Sequence, residues 1–194
     1  MEDRPIQNVV QKEISNFWGT LRRLSFDYTF KNGKVKRLTH EVYGKSDGVA
    51  ILLYNPETRR IILTKQFRAP VWVAQKNQSS LVEVCGGAID GGEDPMETVK
   101  REAVEEVGIA PTNIKFVSQT FLSPGILSEK IFLYTGEYKS EQLTTRDGGV
   151  FEEGEEIEVL EITYDKAFAM IKSGELLDAR TLILLQHLLL IEST

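Results

Sequence analysis

The chain has 194 residues, of which 41% are apolar and 27% are charged, and its formal net charge is −6. This composition describes an ordinary globular protein with enough residues to bury a good core. The negative charge argues against non-specific binding to nucleic acid or to a membrane, so we expect neither partner. A single cysteine, Cys85, excludes an intramolecular disulfide. Because no secretion signal or transmembrane run is visible, we expect a cytoplasmic protein.

The first 45 residues form a separable section with the pattern of a β-hairpin. Residues 21–30 contain aromatics and alternate in places, Asn32-Gly33 supplies a turn, and residues 35–43 return as a second strand. An isolated hairpin is marginally stable, so this section must pack on the rest of the chain or on a second copy. We therefore predict an N-terminal β extension over 1–45 and a main domain over 46–194.

The main domain alternates between strand-like and helix-like segments. The continuous apolar run 49–54 predicts a strand that is buried on both faces. Further strands are predicted over 60–67, 81–85, 114–122, 130–138 and 157–162, and two later helices over 164–172 and 178–191. Mixed strands with helices outside them indicate an α/β fold, an α/β/α sandwich with a mixed sheet.

A glycine-rich loop over 86–92 leads into a helix with clearly marked ends. Asp94 can serve as the N-cap, Pro95 suits the first helical position and Glu97 can complete a capping box. Gly108 is the natural stop, because the residue after a helix often adopts a left-handed conformation. One apolar stripe follows at helical spacing and contains Met96, Val99, Ala103 and Val107.

Three acids, Glu102, Glu105 and Glu106, fall together on roughly the opposite side of this helix. Like charges at these spacings destabilise a helix, and Arg101 alone cannot neutralise all three. A magnesium or manganese ion could, because hard divalent cations prefer carboxylate oxygens. The alternative is a solvated acidic face. The preceding glycine loop favours the metal, because it lets backbone carbonyls approach a ligand closely.

These residues resemble the signature of the Nudix hydrolases, and the resemblance extends over nearly the whole chain. The signature is Gly, five residues, Glu, seven residues, Arg-Glu, an apolar residue, any residue, Glu-Glu, any residue, Gly, apolar. Every fixed position is met, by Gly87, Glu93, Arg101, Glu102, Ala103, Glu105, Glu106, Gly108 and Ile109. The resemblance implies an enzyme that hydrolyses a diphosphate linked to a nucleoside, and it implies the same α/β/α fold.

The resemblance also implies a role for each acidic residue of the signature. The metal ligands would be the carbonyl of Gly86 and the carboxylates of Glu102, Glu106 and Glu155, with Mg²⁺ as the ion and Mn²⁺ as a substitute. Glu105 would assist, Glu93 would orient the loop, and Arg101 would form a salt bridge to a signature glutamate.

A second acidic stretch lies within residues 140–156, which lack sustained periodicity. So long a loop in a compact domain is usually functional or disordered. Similarity to the ADP-ribose and GDP-mannose pyrophosphatases, a branch of the Nudix family, implies that Glu153 is the general base and Glu155 an extra metal ligand. Glu152 is the alternative base, because one residue of slippage would exchange the roles.

The resemblance implies substrate contacts at four further positions of the main domain. Arg68, in Gln66-Phe67-Arg68, would bind phosphate, and Gly87 would contact the substrate at the start of the signature. Glu129 would meet the terminal sugar or phosphate, and Arg180 would reach the substrate from the last helix. For each of the three charged residues, an ordinary surface charge is the alternative.

The N-terminal section would recognise the base. Trp18 corresponds to an aromatic residue that stacks on the nucleobase in relatives, with core packing as the alternative. Glu41 would bind a base edge, next to Thr39 and His40, where the relatives carry basic residues. This departure weakens the choice of guanine over adenine. The relatives are homodimers with exchanged N-terminal strands, so we expect the same assembly here.

The resemblance favours hydrolysis of a nucleoside diphosphate sugar, GDP-mannose giving GMP and mannose 1-phosphate. The alternative is hydrolysis of ADP-ribose to AMP and ribose 5-phosphate. A non-catalytic module that binds a nucleotide sugar as a sensor is disfavoured, because binding alone would not require the full set of signature acids.

Overall fold

The computed structural model describes residues 6–149 and 154–192. The chain divides into two compact units, one of residues 1–46 and 121–130 and the other of residues 47–120 and 131–194. Within the described ranges, no helix is both long enough and apolar enough to cross a membrane.

The first unit is built on an antiparallel sheet of three strands in the order β1-β2-β3. They are β1 (Ile6–Asn16), β2 (Thr20–Thr29) and β3 (Val35–Gly44). The turn between β2 and β3 passes through Gly33 at φ 79°, as the Asn-Gly pair predicts. The sequence did not predict β1. A register shift between Gln7 and Val10, beside Asn8 at φ 50°, interrupts the alternation of apolar residues that would mark a strand.

The second unit contains a mixed sheet of seven strands in the order β7-β8-β4-β5-β10-β9, with β6 also paired to β5. Its strands are β4 (Gly48–Asn55), β5 (Arg60–Phe67), β6 (Ser80–Glu83), β7 (Thr112–Phe121), β8 (Lys130–Glu137), β9 (Asp147–Gly148) and β10 (Ile157–Thr163). The pair β4 and β8 is parallel, whereas β4 and β5 are antiparallel. The predicted mixed sheet is therefore confirmed.

Four α-helices accompany the sheets in the described part of the chain. They are α1 (Ala69–Gln75), α2 (Pro95–Val107), α3 (Tyr164–Ser173) and α4 (Ala179–Glu192). Helix α1 was not predicted, since it has only 7 residues and buries none of them, which leaves no periodicity to detect. The predicted loop over 140–156 also contains a 3-10 turn, Ser140–Gln142, as well as β9.

Helix α2 has nearly the ends that its sequence marks. Asp94 accepts a hydrogen bond from the Met96 amide at 2.8 Å, and Gly108 ends the helix in a left-handed conformation at φ 68°. The predicted capping box is wrong. The Glu97 carboxylate does not bond to the backbone of Asp94 but accepts a hydrogen bond from Lys100 Nζ at 2.7 Å.

Strand β4 lies at the centre of the core. Its residues Val49, Ile51 and Leu53 cluster with α2, which contributes Val99, Ala103 and Val107. The intervening Ala50 and Leu52 point to the opposite face and are equally buried, and α4 also contacts β4. Helices therefore cover both faces of the sheet, which confirms the α/β/α architecture and fixes α2 rigidly against it.

We expect Val99→Ala to lower the free energy of unfolding by about 1 to 3 kcal/mol, because it opens a cavity at a fully buried position. Val104→Ala removes the same atoms from the same helix at a position that is 50% exposed, and it should change stability by less than about 0.5 kcal/mol. Urea unfolding of the two variants measures the difference. Equal effects would contradict the assigned core face of α2.

Candidate active site

Glu106, on the last turn of α2, is a buried carboxylate that is only 3% exposed. Its Oε2 accepts a hydrogen bond from the Gly86 amide at 2.9 Å, and Gln66 Nε2 lies 3.5 Å from Oε1. Burial raises the pKa of Glu106, and hydrogen bonds from Cys85 and Gly86 reverse part of that rise. The charge of Glu155 raises the pKa further. This carboxylate is therefore held in place while its negative charge is poorly stabilised.

Glu102 lies one turn earlier, and its carboxylate packs on Gly87. A Cβ on Gly87 would lie 2.3 Å from Glu102 Oε1, so only glycine leaves room for the acid. Burial raises the pKa of Glu102 to about 7, against the opposing charge of Arg101. The charges of Glu106 and Glu105 raise it as well. Glu102 and Glu106 thus form a pair of desolvated acids that repel each other, and we call them the acidic pair.

Arg101 binds three of the other signature acids. Its guanidinium lies 2.7 Å from the carboxylate of Glu105, 3.0 Å from that of Glu102 and 3.4 Å from that of Glu93. Burial lowers the pKa of Arg101, but the charge of Glu102 and these hydrogen bonds raise it above its usual range. Glu93 also accepts a hydrogen bond from the Thr98 hydroxyl at 2.9 Å, which ties the glycine loop to α2.

The segment around β9 lies against the last turn of α2. A Cβ on Gly148 would lie 1.8 Å from the backbone oxygen of Glu106, so this close approach requires glycine. Gly149 adopts φ 88°, and a Cβ there would meet the Cβ of Glu155 at 3.0 Å. Glu155 is close enough for its charge to act on Glu106. The predicted general base, Glu153, and its alternative, Glu152, lie outside the described residues.

The donors of the acidic pair suit a hard divalent cation, because carboxylate oxygens are its preferred ligands and its charge would relieve their repulsion. In residues 6–149 and 154–192, no three His, Cys, Asp or Glu side chains are grouped to hold a metal ion. Two carboxylates alone do not complete a coordination shell. A backbone oxygen, such as the predicted Gly86 carbonyl, water or substrate would have to supply the remaining ligands.

Two arginines meet at one buried acid, Glu83. Arg68 Nε lies 2.6 Å from Glu83 Oε1, and Arg180 Nη2 contacts Glu83 Oε2. Glu83 is not among the site residues predicted from the sequence. The available signal was a single acid within the otherwise apolar run 81–85, since a buried carboxylate needs charged or hydrogen-bonding partners.

The predicted base-recognition residues lie in the first unit. Trp18 is 69% exposed and carries Lys45 Nζ at 4.1 Å from its ring centroid, so it does not pack in the core of this chain. On β3, Thr39 shares a hydrogen bond with Ser25 at 3.0 Å. The first unit also contains His40, which packs edge-on against Phe26, Glu41, which pairs with Arg23, and Glu129.

We expect Glu102→Gln to stabilise the metal-free protein at pH 8. The folded-state pKa of about 7 exceeds the ordinary value of 4.5. The protonated acid therefore contributes stability that is present below about pH 4.5 and is lost as the pH rises through about 7. Glutamine avoids that loss, which amounts to roughly 1 to 3 kcal/mol.

Urea unfolding in EDTA at pH 4.5 and pH 8 measures this effect. The gain should appear at pH 8 and vanish at pH 4.5. Glu97→Gln, on the same helix but with its carboxylate 62% exposed, serves as the control and should show no such pH dependence. A Glu102→Gln protein no more stable than the unaltered chain at pH 8 would contradict the assigned electrostatics.

Comparison with known proteins covers almost the whole chain. The NUDIX domain family matches residues 44–180, and the family described as GDP-mannose pyrophosphatase NudK N-terminal domain matches residues 5–43. The chain is 39% identical to a GDP-mannose pyrophosphatase of Enterobacter sp. over 94% of both chains. It is also 39% identical to the one of Pectobacterium atrosepticum and 37% identical to the one of Salmonella typhimurium, each over at least 93% of both chains. The chain belongs to the Nudix family.

Proposed function

We propose that this protein is a pyrophosphatase that hydrolyses the diphosphate bond of a nucleoside diphosphate sugar, with GDP-mannose giving GMP and mannose 1-phosphate. The observation that carries the proposal is the acidic pair, Glu102 and Glu106, buried within the signature helix. Relatives named GDP-mannose pyrophosphatase match more than nine-tenths of the chain, which supports GDP-mannose over ADP-ribose.

Nudix hydrolases generally use divalent metal ions. We propose Mg²⁺ here, with Mn²⁺ as a substitute, held by the acidic pair, the Gly86 carbonyl and Glu155. Such ions screen the charge of a diphosphate and lower the pKa of the attacking water. The chain's own contribution is to hold the acids rigidly. Positions 86 and 87 have room only for glycine, because the loop packs so closely there. Arg101 fixes Glu93 and Glu105 through ion pairs.

We assign the general base to Glu153. The described residues on either side support this assignment, because Gly148 lies against the backbone of Glu106 and Glu155 acts on the Glu106 carboxylate. Glu153 lies between these residues in the sequence, only two positions before Glu155. Glu152 remains the alternative.

Arg68 and Arg180 are the proposed phosphate-binding residues. Both lie within electrostatic reach of Glu106. Burial raises the pKa of Glu106, and the charge of Arg68 lowers it. Burial lowers the pKa of Arg180, whereas the charges of Asp178, Glu83 and Glu106 raise it. A phosphate near the acidic pair would therefore meet positive charge. Gly87 and Glu129 are the further proposed substrate contacts.

Residues 1–45 are the proposed extension for dimerisation and base recognition, and residues 46–194 the proposed hydrolase domain. The exposed apolar residues of β1 support a homodimer with exchanged N-terminal strands, because single strands rarely present so many to water. They are Ile6, Val9, Val10 and Ile14. The proposed base contacts are Trp18, Thr39, His40 and Glu41. A cytoplasmic location is proposed from the free, buried thiol of Cys85.

We expect the protein to hydrolyse GDP-mannose with a higher kcat/KM than ADP-ribose when both are assayed with Mg²⁺. Glu106→Gln should retain the fold but lower turnover by more than about 100-fold. Loss of a residue that only hydrogen-bonds to a metal ligand already costs about 10- to 100-fold in activity, and loss of a ligand should cost more. Chromatography of the products measures both effects. Glu97→Gln is the matched control and should leave turnover unchanged, whereas full activity of Glu106→Gln would contradict the metal assignment.

We expect Glu153→Gln to lower kcat by roughly 100- to 10,000-fold, the range for loss of a general base, with little change in KM. Steady-state kinetics with GDP-mannose measures the split between the two constants. If Glu152→Gln has this effect and Glu153→Gln does not, the base lies one residue earlier than proposed.

A further inference from the structure

Glu83, the last residue of β6, is a fully buried carboxylate that binds two arginines at once. Its side chain is 1% exposed. Its Oε1 accepts a hydrogen bond from Arg68 Nε at 2.6 Å, and its Oε2 accepts one from Arg68 Nη2 at 3.1 Å and another from Arg180 Nη2. A carboxylate so enclosed cannot meet substrate itself. It can act only through the groups that it holds.

The three side chains come from three different elements. Arg68 directly follows β5, β6 pairs with β5 through the register of Thr64 with Glu83, and Arg180 lies in the first turn of α4. Glu83 therefore connects the end of a central strand to the start of the last helix.

Arg180 has a second partner at the start of α4. Asp178 Oδ1 accepts a hydrogen bond from Arg180 Nε at 3.0 Å, and Asp178 Oδ2 accepts one from the Thr181 amide at 2.9 Å, as an N-cap does. The Thr181 hydroxyl in turn accepts a hydrogen bond from the Val84 amide at 2.8 Å, next to Glu83 in the chain. Helix α4 is thereby locked to β6 at the point where Arg180 leaves it.

Unused N–H donors leave both arginines able to bind an anion, although their net charge is balanced. The two guanidinium groups are balanced by Glu83 and Asp178, so the buried cluster is electrically neutral. A guanidinium has five N–H donors. Among the contacts of the described residues, two donors of Arg68 go to Glu83, and one donor of Arg180 goes to each acid. The side chains of Arg68 and Arg180 are 35% and 15% exposed, so their remaining donors can meet phosphate oxygens as those of an enclosed group could not.

We propose that Glu83 is a positioning residue whose single carboxylate holds Arg68 and Arg180 together as a two-arginine clamp for the substrate's diphosphate. The proposal rests on the proposed function and adds a residue to it. Without Glu83, the two guanidinium groups would repel each other and would lose their shared orientation. The clamp therefore explains why an acid is buried in a site that must attract an anion.

Glu83→Asp tests the clamp, because it keeps the charge but draws the carboxylate back by about 1.5 Å, the length of one carbon–carbon bond. The shorter acid cannot reach both arginines. We expect the KM for GDP-mannose and the Kd for inorganic pyrophosphate with Mg²⁺ to rise roughly tenfold each, a loss typical of a charged hydrogen bond, with kcat changed less than about threefold. Steady-state kinetics and calorimetry measure these constants.

Glu161→Asp is the matched control. Glu161 is another largely buried carboxylate, 14% exposed, that pairs with Arg60 and accepts a hydrogen bond from Tyr138, outside the site. It should lose a similar amount of thermal stability but leave KM and Kd unchanged. If Glu83→Asp lowers only the melting temperature and leaves both constants unchanged, Glu83 is merely structural and the proposal is overturned.

A double-mutant cycle keeps the test decisive if Glu83→Asp does not fold. Arg68→Lys and Arg180→Lys should each raise the Kd for pyrophosphate, and together they should raise it by less than the product of the two factors, because both depend on one acid. Independent, multiplicative effects would overturn the clamp. If pyrophosphate binding behaves as expected but no nucleotide sugar is cleaved, the clamp stands and the proposed hydrolysis does not.

Discussion

The burial of like charges on one helix is the constraint on which this site depends. Helix α2 packs one face on β4, so the core also fixes the positions of Glu102 and Glu106 along the same helix. Removing these acids from water raises the pKa of both, and the charge of Glu106 raises the pKa of Glu102 further. Arg101 offsets only part of the cost. A divalent cation can offset the rest, which makes the unfavourable burial useful for binding metal and phosphate.

Positive charge reaches the same carboxylates from other elements. Arg68 at the end of β5 and Arg180 at the start of α4 are joined through Glu83, and both act electrostatically on Glu106. The acids of α2 can therefore bind the cation, and the two arginines can bind the anionic diphosphate. The sheet and α4 position the arginines and α2 positions the acids, so the fold and the proposed chemistry depend on the same packing.

Local patterns predicted the parts of the molecule that local interactions determine. The ends of α2 follow from Asp94 and Gly108, and the hairpin turn follows from Gly33. Strand β1 escaped prediction because a register shift disrupts its alternation. The role of Glu83 escaped because its partners lie 15 and 97 residues away, and only the pairing of strands and the docking of α4 bring them together.

The most direct test of the central claim is calorimetric titration of Mn²⁺ into the protein, in two buffers of different ionisation enthalpy, at pH 6 and pH 8.5. Because a metal must displace protons from acids with raised pKa values, binding should release more protons at pH 6 than at pH 8.5. Affinity should rise with pH accordingly. Binding without proton release, or no binding at either pH, would contradict the account of a buried acidic pair that is stabilised by a cation.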